Sequence, residues 1–249
     1  MADAPPRVAV VTPTYNERET LPRLAERVLG LGPGYSLVIV DDASPDGTGA
    51  LADGLAAAHP GRVAVVHRQA KQGIGPAYLA GFRAALAGGA PFVAQMDADL
   101  SHDAADLPRL AAVAEQAPAD LVLGSRYVPG GGSRGWSAWR RAMSRWGCRY
   151  AAAVTAAPVA DLTGGFKVWR RETLASLDFA AIAADGYGFQ IETTIRALRA
   201  GARVVEVPII FHERAAGQSK ISRRIVAEAA ILVWRLRPPA PDRASAARR

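Results

Sequence analysis

The sequence predicts a doubly wound α/β fold, a parallel sheet with helices on both faces. Three observations carry that prediction. Short β-branched or apolar runs alternate with helical patterns through the first half of the chain. The runs are apolar almost throughout, as strands covered on both faces must be. Residues able to do chemistry fall just after the runs, where sheets of this kind bind ligands. With 249 residues, half of them hydrophobic, the chain can bury a sizeable core in one large domain.

Arg7–Thr12 (RVAVVT) reads as the first strand and Glu17–Leu29 as the helix after it. Ser36–Val40 (SLVIV) is the second strand, and Ser44-Pro45-Asp46 supplies a start signal for the helix Gly47–Ala58. Arg62–His67 (RVAVVH) pairs with the helix Pro76–Leu86. Phe92–Met96 (FVAQM) pairs with the helix Asp103–Gln116, which opens on Ser101-His102-Asp103. Asp120–Leu123 (DLVL) is a fifth strand. Beyond Arg126 the alternation loosens. Pro129-Gly130-Gly131-Gly132-Ser133 is a flexible loop. Ser137–Ala157 is a helix with Trp139, Met143, Trp146 and Tyr150 at helical spacing. Gly164–Trp169 is a strand, Tyr187–Ala200 a helix and Arg203–Val207 a strand. Lys220–Leu236 closes the domain as an amphipathic helix with Ile221, Ile225, Leu232 and Leu236 near one face. One domain is expected over residues 1–237, followed by a basic, disordered tail at 238–249.

Charge is unevenly placed. Residues 1–125 carry 9 basic and 14 acidic side chains, whereas residues 126–149 carry six arginines and no acid. Residues 214–249 carry 9 basic and 2 acidic side chains. An anionic lipid surface, a phosphorylated ligand or nucleic acid are the natural partners of such segments. Nucleic acid is disfavoured, because the strand ends are acidic and no recognised binding motif is present. The single cysteine, Cys148, excludes an internal disulfide framework and a cysteine-built zinc site, and a reducing compartment is the simplest setting. Met1–Arg7 has no secretory pattern, and no apolar run approaches the ~18 residues of a bilayer span. A cytoplasmic location is therefore expected.

Two acidic clusters stand at strand ends. Asp97-Ala98-Asp99 places two carboxylates two residues apart, on one face of an extended backbone, where hard oxygen donors suit Mg²⁺ or Mn²⁺. Helix capping is the competing role, since Asp99, Ser101 and Asp103 all precede a helix. Asp41-Asp42 precedes Ala43-Ser44-Pro45-Asp46-Gly47. A carboxylate here can accept hydrogen bonds from a nucleobase or ribose, with Asp42 the functional member, while SPDG also serves a turn. Lys71-Gln72-Gly73-Ile74-Gly75 matches neither the dinucleotide fingerprint nor the Walker A pattern. The four histidines form no ligand set; His102 is read as a turn residue. Trp136, Trp139 and Trp146 interleave with Arg140, Arg141, Arg145 and Arg149, which tilts this helix toward an interfacial role over a core one.

Taken together, six motifs resemble a known family. They are Pro13-Thr14-Tyr15-Asn16-Glu17, Val40–Thr48 (VDDASPDGT), Asp97–His102 (DADLSH), Gly124-Ser125-Arg126-Tyr127, Asp161–Phe166 (DLTGGF) and Arg214–Lys220 (RAAGQSK). In that order they resemble the inverting, metal-dependent glycosyltransferases of family 2, and within them the polyprenyl (dolichyl) phosphate mannose synthases. Gly164 replaces the serine usual before the glycine of the TSGF motif, and the C-terminal transmembrane helices of many relatives are absent. The resemblance implies a GT-A type fold, doubly wound and mostly parallel. It implies transfer of mannose from GDP-mannose to a polyprenyl phosphate; a UDP-sugar donor is the alternative. Pro13, Tyr15, Glu17, Val40 and Asp42 would line the nucleotide pocket. Asp97, Ala98 and Asp99 would hold the diphosphate through Mg²⁺ or Mn²⁺, with Ser101 where some relatives have a metal-binding glutamine. Arg214 and Lys220 would close over the diphosphate, and Arg126, Arg140 and Ser144 would receive the acceptor phosphate. Asp99 and Arg126 are the residues expected to matter most for turnover. Work at the inner face of the membrane is implied, with a separate membrane-spanning partner subunit.

Overall fold

Strands β1 (Val8–Thr14) and β2 (Tyr35–Asp41) are apolar along their length because alternate residues point to opposite faces and both faces are covered. In the computed structural model, which describes residues 6–184, 186–213 and 230–238, Val8, Val10, Leu37 and Ile39 pack on one face. Their partners there are Leu21, Leu24 and Val28 of helix α1 (Leu21–Leu29). Ala9, Val11, Val38 and Val40 pack on the other face, against Tyr78 and Phe82. Each fully buried side chain of this size stabilises by about 1.5–3 kcal/mol relative to an exposed one.

The remaining elements follow in order. Helix α2 (Thr48–Ala58), strand β3 (Val63–His67), helix α3 (Ile74–Ala87) and strand β4 (Phe92–Gln95) complete the first half. A short 3₁₀ turn at Ala104–Asp106, capped by the Asp103 carboxylate accepting from Ala105 N, leads into α4 (Leu107–Gln116). Then come β5 (Leu121–Ser125), β6 (Gly132–Arg134), α5 (Ala138–Thr155), β7 (Lys167–Arg170) and α6 (Arg171–Ala175). Helix α7 (Gly186–Arg199), β8 (Val204–Pro208) and β9 (Ile210–His212) end the main body. Residues 230–235 are helical, within the final helix expected from the sequence. Most of that helix, and the expected tail beyond residue 238, lie outside the described residues.

Seven strands form one sheet in the order β3-β2-β1-β4-β7-β5-β8. All neighbours are parallel except β7, which runs antiparallel to both β4 and β5. The sheet is therefore mostly parallel. The reversal has a topological cause. After Ser125 the chain stays at the carboxyl edge through β6 and α5, so it re-enters the sheet from that edge at Lys167, opposite Gln95 and Leu123. Sequence patterning identifies β7 as a strand but carries no information on direction. It also misses the small parallel pair β6–β9, whose three-residue strands are too short for a periodic signal.

Among the described residues, four non-glycines have left-handed backbones: Asn16, Ala43, Leu100 and Ala156. The first two come two residues after β1 and β2, and Leu100 ends the turn that follows β4, so strain collects in the loops at the carboxyl ends of the strands. Helix α3 approaches the sheet at Gly81, where a Cβ would overlap Val11 Cγ1 and lie 2.8 Å from Val40 Cγ2. Gly81→Ala is accordingly expected to destabilise the fold by about 1–3 kcal/mol through overpacking, despite the better helix propensity of alanine. Urea unfolding measures this; a variant as stable as the parent would show that α3 can move away at no cost.

Candidate active site

The carboxyl ends of β1, β2, β4 and β5, with the loops entering β7 and leaving β8, enclose a cavity of about 360 Å³. At one end Pro13 and Thr14 close β1, Tyr15 and Glu17 follow it, and Asp42 follows β2. The Lys71 ammonium lies 3.6 Å above the Tyr15 ring. Asp42 accepts from the Arg68 guanidinium and, at 3.1 Å, from Gln72 N. Asp41 is built into the loop instead, accepting from Ser44 Oγ at 2.6 Å and from Ser44 N at 3.1 Å. Asp46 accepts from the Thr48 backbone and hydroxyl. Of the acidic cluster, then, Asp42 reaches the cavity. Val40 does not: it is fully buried among the α3 side chains.

Asp97, Ala98 and Asp99 form the cavity floor. The backbone here is not the extended strand that the i, i+2 spacing suggests. β4 ends at Gln95, and a turn through left-handed Leu100 lets Asp99 Oδ1 accept from Ser101 N at 3.0 Å. Asp97 Oδ1 accepts from the Tyr78 hydroxyl at 2.6 Å. Burial, reinforced by the Asp97 charge, raises that phenol well above its ordinary range, so Tyr78 stays a proton donor. Ser101 is fully buried and its Oγ has no hydrogen-bond partner among the described residues.

The opposite end is basic and aromatic. Arg126 and Arg140 line it with Trp136 and Phe211. The sequence treats Arg126 as a clamp for a ligand, but the structure gives it a protein partner. Its Nε and Nη2 donate to the two Asp161 carboxylate oxygens at 2.7 and 2.6 Å, and its backbone N to Asp161 Oδ2 at 2.9 Å. Nη2 also reaches Thr163 Oγ1 at 2.8 Å. Burial acts to raise the Asp161 carboxyl, and the Arg126 charge and hydrogen bonds outweigh it, holding Asp161 below the usual carboxylate range. Only Nη1 of Arg126 is left without a hydrogen bond among the described residues. Arg140 stacks 4.3 Å above Trp136 and pairs with Glu213 at 3.0 Å. Ser144 does not line the cavity; its Oγ accepts from the Tyr127 hydroxyl at 2.6 Å. Arg214 and Lys220 lie outside the described residues.

Three residues at or behind the wall carry weight that sequence reasoning missed. His102 does sit in a bend, just ahead of the 3₁₀ turn. It is buried in the cavity wall, 5.0 Å from the Phe166 ring and 5.3 Å from Phe211. Burial lowers its pKa, which favours the neutral imidazole, and Nδ1 has no partner among the described residues. Gln190 reaches the cavity from α7. Lys167, fully buried behind it, has its ammonium pushed down to about 7 by burial. The signal available in the sequence was Lys167 inside the apolar run GFKVW, a costly placement without partners; Gln190, in a segment that also holds Glu192, Thr193 and Thr194, gave none. Six buried side-chain polar atoms lack a partner among the described residues, and four belong to Ser101, His102, Trp136 and Arg140. Of these, His102, Trp136 and Arg140 line the cavity, and Ser101 lies next to His102 in the chain.

The chain is similar to known proteins over most of its length. A model of glycosyl transferase family 2 matches residues 9–177. The chain is 47% identical over 234 residues to the polyprenol monophosphomannose synthase of Mycolicibacterium smegmatis, covering 93% of this chain and 88% of that protein. It is 46% identical over 229 residues to the undecaprenyl-phosphate mannosyltransferase of Micrococcus luteus, covering 92% and 93%. Among solved structures, glucosyl-3-phosphoglycerate synthase from Mycobacterium tuberculosis with Mg²⁺ and UDP superposes with a TM-score of 0.68 at 21% identity, over 95% of this chain and 81% of that one. The same enzyme with Mn²⁺, UDP and glucosyl-3-phosphoglycerate gives 0.63 at 21%, over 93% and 77%. The sheet is the GT-A arrangement.

Asp161→Ala would leave the Arg126 guanidinium buried and unpaired, a loss of about 3–5 kcal/mol. Because the Asp161 pKa is depressed in the folded state, its contribution is complete above the unfolded carboxyl pKa of ~3.9 and disappears as pH falls through the folded value. Denaturant melts of parent and variant should therefore differ most near neutrality and converge only in acid. Equal stability at pH 7 would contradict a structural role for the pair.

Proposed function

The chain belongs to glycosyl transferase family 2, and from that premise we propose that it moves mannose from GDP-mannose to a polyprenyl (dolichyl-type) phosphate, with inversion at the anomeric carbon. The observation that carries this reading is a single cavity with carboxylates Asp97 and Asp99 at its floor and Arg126 and Arg140 at one end. A transferase from a nucleoside diphosphate to a phosphate needs both kinds of ground: one for a leaving diphosphate and one for an incoming anion. The names of the two curated relatives support the sugar and the polyprenyl acceptor.

Tyr15, Glu17 and Asp42 bind the nucleoside in this reading, Asp42 by accepting from the base or ribose. A divalent cation, Mg²⁺ or Mn²⁺, would be held by Asp97 and Asp99 at the cavity floor, and the buried Ser101, whose Oγ has no hydrogen-bond partner among the described residues, is the candidate third oxygen. No cluster of three acidic, histidine or cysteine side chains exists among the described residues, so phosphate oxygens would complete the shell. The ion, when bound, neutralises charge developing on the leaving diphosphate. Tyr78 holds Asp97 in place. The acceptor is a phosphate with a second pKa near ~6, so it is a competent nucleophile at neutral pH and needs no carboxylate base. Arg140 and the remaining Nη1 of Arg126 orient it, and Tyr127 and Ser144 brace the same end. The test is transfer of labelled sugar from GDP-mannose, UDP-glucose or UDP-GlcNAc to polyprenyl phosphate, with and without Mn²⁺. Mannose transfer that needs the metal is expected, and Asp99→Asn should lower it at least ~100-fold, the scale of one lost transition-state contact group, while leaving thermal unfolding unchanged. Transfer from a UDP-sugar alone would overturn the donor assignment.

The acceptor's chain lies in lipid, and no helix among the described residues is long and apolar enough to cross a membrane. We propose peripheral docking at the cytoplasmic face through α5, alongside a separate membrane-spanning partner subunit. Trp139 and Trp146 are 74% and 61% exposed on one face of α5, with Met143 between them. Ile231 and Trp234 are also exposed, while Val233 and Leu236 pack into the core, so the last helical turn gives only part of its apolar surface to the fold. Trp136, by contrast, is buried in the cavity wall and takes no part in docking. Each arginine near an anionic surface contributes about 1 kcal/mol before screening. Co-sedimentation with anionic vesicles should be strong at low salt, fall with added salt and weaken in a Trp139→Ala, Trp146→Ala double variant. Absence of pelleting at low salt would rule out direct docking.

A further inference from the structure

We infer that Gln190 recognises the transferred sugar, through an amide donor whose direction is set two hydrogen bonds away by Trp169. The inference rests on the reading of the cavity as a nucleotide-sugar site.

The direction follows from a chain of hydrogen bonds that can be written only one way. The Trp169 indole N–H can donate but not accept, and it lies 3.3 Å from Gln95 Oε1. The Gln95 oxygen therefore faces the indole, which turns Gln95 Nε2 toward Gln190. That nitrogen donates to Gln190 Oε1 at 2.7 Å. All three side chains are buried, Trp169 and Gln95 completely. Reversing either amide would set one N–H against another, so the side-chain O and N assignments, often ambiguous in glutamine, are decided here. The Gln190 main chain is held as well, because Lys167 Nζ donates to Gln190 O at 2.9 Å and to Thr193 Oγ1 at 3.2 Å. The outcome is a fixed NH₂ group at the cavity wall, with no hydrogen bond among the described residues.

What it faces is shaped by Gly165. A Cβ there would lie 3.4 Å from Gln190 Nε2 and 3.6 Å from Asp97 Oδ2. The bare glycine thus opens a cradle with a neutral donor on one side and a carboxylate oxygen on the other. A hydroxyl satisfies both, accepting from the amide and donating to the carboxylate. A phosphate oxygen would satisfy only the first and would meet negative charge at the second. The cradle lies between the Asp97–Asp99 floor and the Arg126–Thr163 end of the cavity, the stretch a hexose must occupy between leaving diphosphate and attacking phosphate. Trp169 and Gln95 touch no ligand; they are positioning residues.

The experiment compares calorimetric binding of GDP and GDP-mannose, with Mn²⁺ present, in the parent, Gln190→Leu, Gly165→Ala and Trp169→Phe. The Gly165 contacts of 3.4 Å and longer are ordinary van der Waals separations, so alanine fits the fold while filling the cradle. Each variant should keep its GDP affinity and lose about three- to tenfold in GDP-mannose affinity, the scale of one neutral hydrogen bond. Across deoxy-mannose donors, one hydroxyl position should matter to the parent and cease to matter in Gln190→Leu. Unchanged GDP-mannose affinity in Gln190→Leu and Gly165→Ala, or an equal fall for GDP and GDP-mannose, would overturn the inference. If Trp169→Phe alone binds as the parent does, the relay does not orient the amide. Should the parent favour UDP-glucose, the donor assignment fails instead, and the same constants are read on UDP and UDP-glucose.

Discussion

A guanidinium and a carboxylate removed from water tie the exit of β5 to the loop that enters β7. Neither Arg126 nor Asp161 could be buried alone at tolerable cost, and each takes up hydrogen-bonding capacity of the other: two side-chain bonds and one backbone bond pass between them. The consequences spread outward. Thr163 is drawn to Arg126, which brings Gly164 and Gly165 onto the cavity wall. Cys148 of α5 packs against the same carboxylate, and burial together with that charge pushes its thiol up to about 11, so it behaves as a small inert side chain. The aromatic rings of Tyr127, Trp136 and Phe211 crowd the guanidinium at 5.1 to 5.5 Å. An arginine that looks in the sequence like a ligand clamp is first the joint that assembles the clamp.

Most of the sheet was legible in the sequence because burial on both faces writes apolar runs that need no partner to be recognised. Val8–Thr14 and Tyr35–Asp41 differ from the expected strands only at their ends. Features set by long-range geometry were not legible. The direction of β7 depends on where residues 126–166 leave the chain, and no local pattern records that. The cavity residues divide the same way. Asp42, Asp97 and Asp99 advertise themselves as acids after apolar strands. His102, Gln190 and Lys167 do not, since their role depends on neighbours 20 to 100 positions away, as in the bond between Gln95 and Gln190. Val40 illustrates the opposite error: motif membership put it in the pocket, whereas a fully buried valine in β2 belongs to the core.

The two halves of the cavity differ in physical character. The end near β1 and β2 is built from loops under backbone strain, with left-handed Asn16 and Ala43 turning the chain so that neighbouring side chains face inward. The far end is built from charge, aromatic rings and unsatisfied donors. Strain fixes position, while unsatisfied polarity supplies a drive toward ligand; the floor at Asp97–Asp99, with left-handed Leu100 and the partnerless Ser101 hydroxyl, combines the two.

Because β7 runs against its neighbours, the segment between Ser125 and Lys167 leaves the sheet and returns to it at the same edge. Its two ends are clamped together by Arg126 and Asp161, and its middle is held by the pairing of β6 with β9 and by Ala151 in the core. Lengthening a closed loop is inexpensive, about 0.6 kcal/mol for each doubling. The exposed turn at Pro129 and Gly130 can therefore grow or shrink while the parallel strands and the loops after β1 and β2 stay as they are. The fold separates, along its own chain, what must stay constant from what is free to diverge.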